Sequence, residues 1–131
     1  MPADDIKATH PWTDEATGYE CLAIECPWFC GYVRLPEGHP WADKGYSSPL
    51  CGHDGCYEHT PEGLISVHGG ITFSGVPHGA TEGNWFGFDC AHAGDYTDYG
   101  VAGITREGHH WTLDEVKAEC AAMAKQIHDH A

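Results

Sequence analysis

The sequence predicts an α+β fold: a small antiparallel sheet, one C-terminal amphipathic helix packed on one face, and long loops rich in Gly, Pro and His. Three observations point there. A helix-start signal stands at Thr112-Leu113-Asp114-Glu115 and is followed by apolar residues at helical spacing. Upstream, short β-like runs are separated by turn-forming residues. The chain has 131 residues, which suits a single domain over 1–131.

Residues 1–17 are polar and irregular and read as a loose segment. Residues 19–25 (YECLAIE) and 29–35 (FCGYVRL) read as two strands. Cys26-Pro27-Trp28 joins them, so a hairpin is expected. Residues 36–62 carry Pro, Gly, Ser, Asp and His without an apolar period and read as a long loop, a length that marks function or disorder. Residues 64–74 (LISVHGGITFS) read as a strand interrupted by Gly69-Gly70, a pair that signals a bulge or a close backbone approach. After a turn at 75–83, residues 85–90 (WFGFDC) form a further strand, and 91–110 is a Gly-rich loop. The helix is expected over 112–128. Leu113, Val116, Cys120, Met123, Ala124 and Ile127 make its apolar stripe, with Asp114 and Glu115 at the positive end and Lys125 near the negative end. Cys120 and Met123 read as core.

Composition narrows the function. Six Lys and Arg against 20 Asp and Glu give a net charge of −14 with His neutral. That argues against an extended nucleic-acid surface, which needs clustered basic residues. It leaves room for a small anion held by a few donors. There is no run of about 18 apolar residues, so no membrane span is expected. The acidic N-terminus lacks the apolar core of a secretory signal. Seven Cys, an odd number, then suggest a reducing cytosol with thiols free, buried or metal-bound. P-loop, G-x-S-x-G and G-x-G-x-x-G signatures are absent from the sequence.

Alternation along the strands selects candidate site residues. Val67, Ile71 and Phe73 share one face, and His68, Thr72 and Ser74 the other. Phe86, Phe88 and Cys90 alternate with Trp85, Gly87 and Asp89. With the apolar sets under the helix, the opposite face gathers His68, Thr72, Ser74, Trp85 and Asp89, unless a bulge at Gly69-Gly70 shifts the register. Asp89, His92 and Asp95 follow as D-x-x-H-x-x-D. With His68 they offer two imidazoles and two carboxylates. Such a set suits a divalent metal such as Zn or Mn, or acid–base work without metal. Turn capping by the two aspartates is the plainer alternative. Cys51, His53, Cys56 and His59 form a C-x-H-x-x-C-x-x-H cluster that suits structural zinc, with Cys26 and Cys30 as a second doublet or as simple packing. His39 stands in a stiff P-E-G-H-P-W turn and is the acid candidate. Arg34 and Lys44 are anion partners; Trp41, Tyr46, Thr72 and Trp85 complete the ligand-binding candidates.

The segments C-G-Y-V-R-L-P-E-G-H-P-W (30–41), K-G-Y (44–46), V-H-G-G-I-T-F-S-G (67–75), W-F-G-F-D-C-A-H-A-G-D (85–95) and L-D-E-V-K-A-E-C (113–120) resemble a family of small uncharacterised proteins of bacteriophages and prophages. Its marks are H-G-G-[IL]-T and G-F-D-C-A-H-x-G-D. Asp43 stands where that pattern has glycine, and 51–59 looks like an insertion. The resemblance implies a phage accessory protein working in the host cytoplasm.

Three readings follow, and the residues leave open whether the protein is an enzyme. In the first, a pocket of His68, Trp85, Asp89, His92 and Asp95, closed by the 39–46 loop, binds a small polar ligand. A host signalling nucleotide, held as an anti-defence measure, is one form. In the second, His68, Asp89, His92 and Asp95 hold a metal ion for hydrolysis. In the third, an acidic surface inhibits a host protein.

Overall fold

A computed structural model describes residues 6–48, 50, 60–91, 95, 97–98, 105–106 and 108–131, the pairs 97–98 and 105–106 by backbone alone. The elements run β1 (Ala8–Thr13), β2 (Glu20–Glu25), β3 (Phe29–Leu35), α1 (Pro61–Leu64), β4 (Phe73–Gly75), β5 (Asn84–Asp89), β6 (Thr97–Asp98), β7 (Thr105–Arg106) and α2 (Leu113–Asp129). Five of the strands form one antiparallel sheet in the order β1-β2-β3-β5-β4, and β6 and β7 pair separately. The fold is α+β, as the sequence predicts.

Helix α2 begins where its capping box stands. The Thr112 hydroxyl accepts from the Glu115 amide, and the Glu115 carboxylate accepts from the Thr112 amide. Its stripe of Val116, Cys120, Met123, Ala124 and Ile127 is fully buried on one sheet face, against Val33, Leu35, Phe86, Phe88 and Cys90. At Gly31 of β3 an added Cβ would lie 2.5 Å from the Phe88 ring and 2.8 Å from Cys120 Sγ, so glycine is what admits the helix there. The other face carries a second cluster: Leu22, Ile24, Cys26, Cys30, Tyr32 and Trp85, covered in part by Ile6, Trp28, Phe73 and Ala80. No helix of the described residues is long and apolar enough to cross a membrane.

Two segments differ from the sequence expectation. The span 1–17, expected to be loose, contains β1, paired with β2 from Ala8↔Glu25 to Thr13↔Glu20. Pro11 hides this strand from a sequence reading. It is tolerated because β1 is the sheet's edge, where a missing N–H can face outward. The expected strand over 64–74 shrinks to β4. Thr60 caps the one-turn helix α1, and Gly69 and Gly70 both take positive φ, 69° and 81°, which no strand can follow. The register shifts accordingly. Phe73 pairs with Gly87 and meets Tyr32 edge-on at 5.3 Å on the face away from α2. Ile71 remains in the helix-side cluster.

Candidate functional site

His68 and Asp95, two of the four residues of the expected His/Asp set, meet beside the N-terminal part of α2. His68 follows the α1 turn, and its backbone amide donates to Glu119 of α2 at 2.8 Å. Its ring nitrogen Nε2 lies 2.7 Å from Asp95 Oδ2. The Asp95 carboxylate is 2% exposed and also accepts from Trp111 Nε1 at 2.8 Å on Oδ1. Trp111 packs against the His68 ring, with centroids 4.5 Å apart. A buried carboxylate thus holds the neutral imidazole as the Nε2–H tautomer, which makes Nδ1 its acceptor nitrogen. Asp95 here orients the imidazole through Oδ2 while Oδ1 is held by Trp111, an arrangement that suits a positioned base or an outer partner of a metal-bound histidine.

A second imidazole stands next to it. His109 meets Trp111 edge-on at 5.3 Å and pairs with Glu115 through Nε2 at 2.5 Å. That hydrogen bond is the main cause holding the Glu115 carboxyl below its ordinary value. Trp111, His109 and Glu119 escaped the sequence reading. The one signal was the H-H-W run just before the Thr112 cap.

The remaining metal candidates are elsewhere or outside view. Asp89 faces the other side of the sheet, opposite Cys30 in the ladder, and accepts from the Thr72 hydroxyl and the Ala91 amide, both at 3.1 Å. His92 and the whole Cys51, His53, Cys56 and His59 cluster lie outside the described residues. Among the described residues no three His, Cys, Asp or Glu side chains are arranged to hold a metal. Cys26 donates to the Trp28 carbonyl at 2.7 Å, and its hydrogen bond with Cys30, followed by burial, drives the Cys30 thiol upward. Burial likewise pushes the Cys21 thiol up to about 12, with help from Asp14. Such thiols stay protonated and unreactive at neutral pH.

His39, the acid candidate, is a buried clamp. Its Nδ1 accepts from the Trp41 amide at 3.0 Å, so Nε2 carries the proton and donates to the Ile127 carbonyl at 2.7 Å. The turn around it is thereby tied to the end of α2. Trp41 is also core: it lies between His39 and His130, stacked on the latter at 4.9 Å. Lys44 gives its carbonyl to Asn84, and the Tyr46 amide reaches Ser74 Oγ at 3.4 Å. The 39–46 turn therefore packs down rather than closing over His68.

Arg34 and Trp85 come together on the sheet face away from α2. They line a cavity of about 430 Å³ between that face and residues 79–82, with Leu22 and Ala80 as apolar wall. Arg34 Nη1 donates to Glu20 at 2.7 Å, and Nη2 lies 3.6 Å from Glu82. Trp85 is 5% exposed, and its indole N–H donates to the Glu82 carbonyl at 2.9 Å. Trp85 therefore forms floor, not an open stacking platform. The expected single pocket is thus divided by the sheet, with His68 and Asp95 on one side and Arg34, Trp85 and Asp89 on the other. Comparison with known protein families, curated proteins and solved structures found no match.

Proposed function

We propose that the protein binds a small polar ligand in the cavity under residues 79–82. The observation that carries this reading is that about 430 Å³ of concave space brings together Arg34 and Trp85, both ligand candidates from the sequence. Ligand sites are typically clefts of about 300–1,000 Å³ with apolar walls and a few fixed polar groups. The nucleotide form of the reading has less support. Glu20 and Glu82 already hold the guanidinium that a phosphate would need, and Trp85 offers no open face. In a host cytoplasm, the setting the phage-type motifs imply, such a protein would withdraw a metabolite from solution.

The test is a cavity-filling variant. Small molecules released by heating purified protein are identified by mass spectrometry, then added back while Tm is followed. Ala80→Phe, which fills the cavity wall, is expected to release none and to lose the Tm rise. The reading fails if neither released molecules nor a bacterial metabolite extract raise the Tm of the unmodified protein.

A second reading rests on the 2.7 Å contact of His68 with the buried Asp95 carboxylate. It assigns acid–base chemistry to His68, alone or beside a divalent metal such as Zn or Mn. Metal analysis of chelator-free protein separates these two forms. Hydrolysis assays with phosphodiester and amide substrates, with His68→Gln as control, decide whether either is catalytic.

A further inference from the structure

We propose that the Arg34 cavity continues past the Arg34–Glu82 pair into a single groove for a small linear polyamine, whose ammonium groups meet Glu20, Glu82 and Glu37. The inference rests on the ligand-cavity reading above and names the ligand class. A second cavity, of about 300 Å³, is lined by Arg34, Glu82, Glu37 and Asn84. It shares Arg34 and Glu82 with the first, so among the described residues this pair is what the two cavities have in common. The Glu82 contact is also the looser of the two at Arg34, 3.6 Å against 2.7 Å for Glu20.

The charge along the groove sets the class. Among the described residues lining the two cavities, three glutamates, Glu20, Glu82 and Glu37, stand against a single basic residue, Arg34. An anion would have to displace a carboxylate from Arg34 and enter the field of a chain with net charge −14. A cation meets that field with complementary sign. Glu20 and Glu82 side chains are 58% and 77% exposed, so each contact by itself is weak. Several ammonium groups on one chain overcome that weakness, because the second and third contacts form intramolecularly. Among otherwise largely polar linings, Leu22 and Ala80 on one side and Leu35 and Ala42 on the other give apolar patches where methylene spacers can rest. A monoamine satisfies only one arm.

The experiment follows amide, Trp Nε1 and Arg Nε signals of ¹⁵N-labelled protein at about 150 mM salt, where diffuse attraction is screened. Spermidine, butylamine and AMP are the probes. Spermidine is expected to saturate shifts at Trp85, Arg34 and Asn84 together and to bind more tightly than butylamine. Glu37→Gln should weaken spermidine about 2–5-fold, the scale of one exposed ion pair. Glu20→Gln with Glu82→Gln should remove binding, and the distant Asp129→Asn should leave it unchanged. Equal weakening by Asp129→Asn would mean diffuse charge attraction and overturn the groove. If AMP shifts Trp85 and spermidine does not, the polyamine inference falls and the ligand cavity stands. If no probe shifts Trp85 or Arg34, both fall.

Discussion

Replacing Asp95 by Asn tests whether the buried carboxylate sets the state of His68. The two side chains have nearly the same volume, so packing is kept. Asn retains one carbonyl oxygen, which serves Trp111 Nε1, now 2.8 Å from Oδ1. Its NH₂ group then points at His68 Nε2 from the Oδ2 position, 2.7 Å away. Two donors cannot share that contact, so the imidazole proton moves to Nδ1 and Nε2 becomes the acceptor. Two hydrogen bonds to a charged group become neutral ones. The first kind contributes about 1.5–3 kcal/mol and the second about 0.5–1.5, so the variant loses about 2 kcal/mol. With an unfolding entropy of about 2.1 cal/mol/K per residue, each kcal/mol moves Tm by about 3–4 °C in a chain of 131 residues. The expected fall is about 7 °C. Long-range ¹H–¹⁵N spectra well above the ordinary imidazole pKa of about 6.5 read the tautomer directly. An Nδ1–H tautomer in the unmodified protein, or an unchanged tautomer and Tm in the variant, would refute the reasoning.

Two further outcomes are expected. In His109→Ala the Glu115 carboxyl should titrate nearer its ordinary value, followed by ¹³C NMR, because the His109 hydrogen bond is the largest cause of its depression. A depressed carboxyl stabilises the fold above its ordinary pKa and loses that contribution as pH falls through the folded value, so the variant should show a weaker acid dependence of Tm; an unmoved Glu115 midpoint contradicts this. Gly31→Ala places a methyl 2.5 Å from the Phe88 ring and 2.8 Å from Cys120 Sγ, and overpacking of this kind costs about 1–3 kcal/mol. Urea denaturation that showed no loss would mean that α2 can move away from β3 at little expense.

The parts of the fold that were legible in the sequence are those governed by local chemistry. The Thr112–Glu115 capping box, the apolar period of α2, the 26–28 link between β2 and β3 and the alternation of Phe86, Phe88 and Cys90 each reflect neighbours a few residues apart. Strand β1 was not legible, because Pro11 is acceptable only at an edge, and edge position is a property of the whole sheet. The face of Phe73 was lost at Gly69-Gly70, where two positive φ angles reset the alternation. For the site, the pairing of His68 with Asp95 links residues 27 apart and matches two members of the expected set. The separation of Trp85 and Asp89 from them depends on which face of β5 meets the helix and on where β4 joins. His39 illustrates the opposite case. A stiff turn marks it in sequence, but its partner is the Ile127 carbonyl, 88 residues away.

Both faces of the five-stranded sheet are apolar, yet α2 covers only one. On the other, a stretch without regular structure stands in for a second layer: Pro77 is buried, and the Cβ position of Gly79 comes within 3.3 Å of Thr9 and 3.6 Å of Leu22. Surface connections of this kind ordinarily accept insertions. This one should not. A peptide tag or reporter spliced into 76–82 would peel the cover from Leu22 and convert a covered sheet face into an adhesive one. The exposed turn at 15–18, between β1 and β2, is the safer point of attachment.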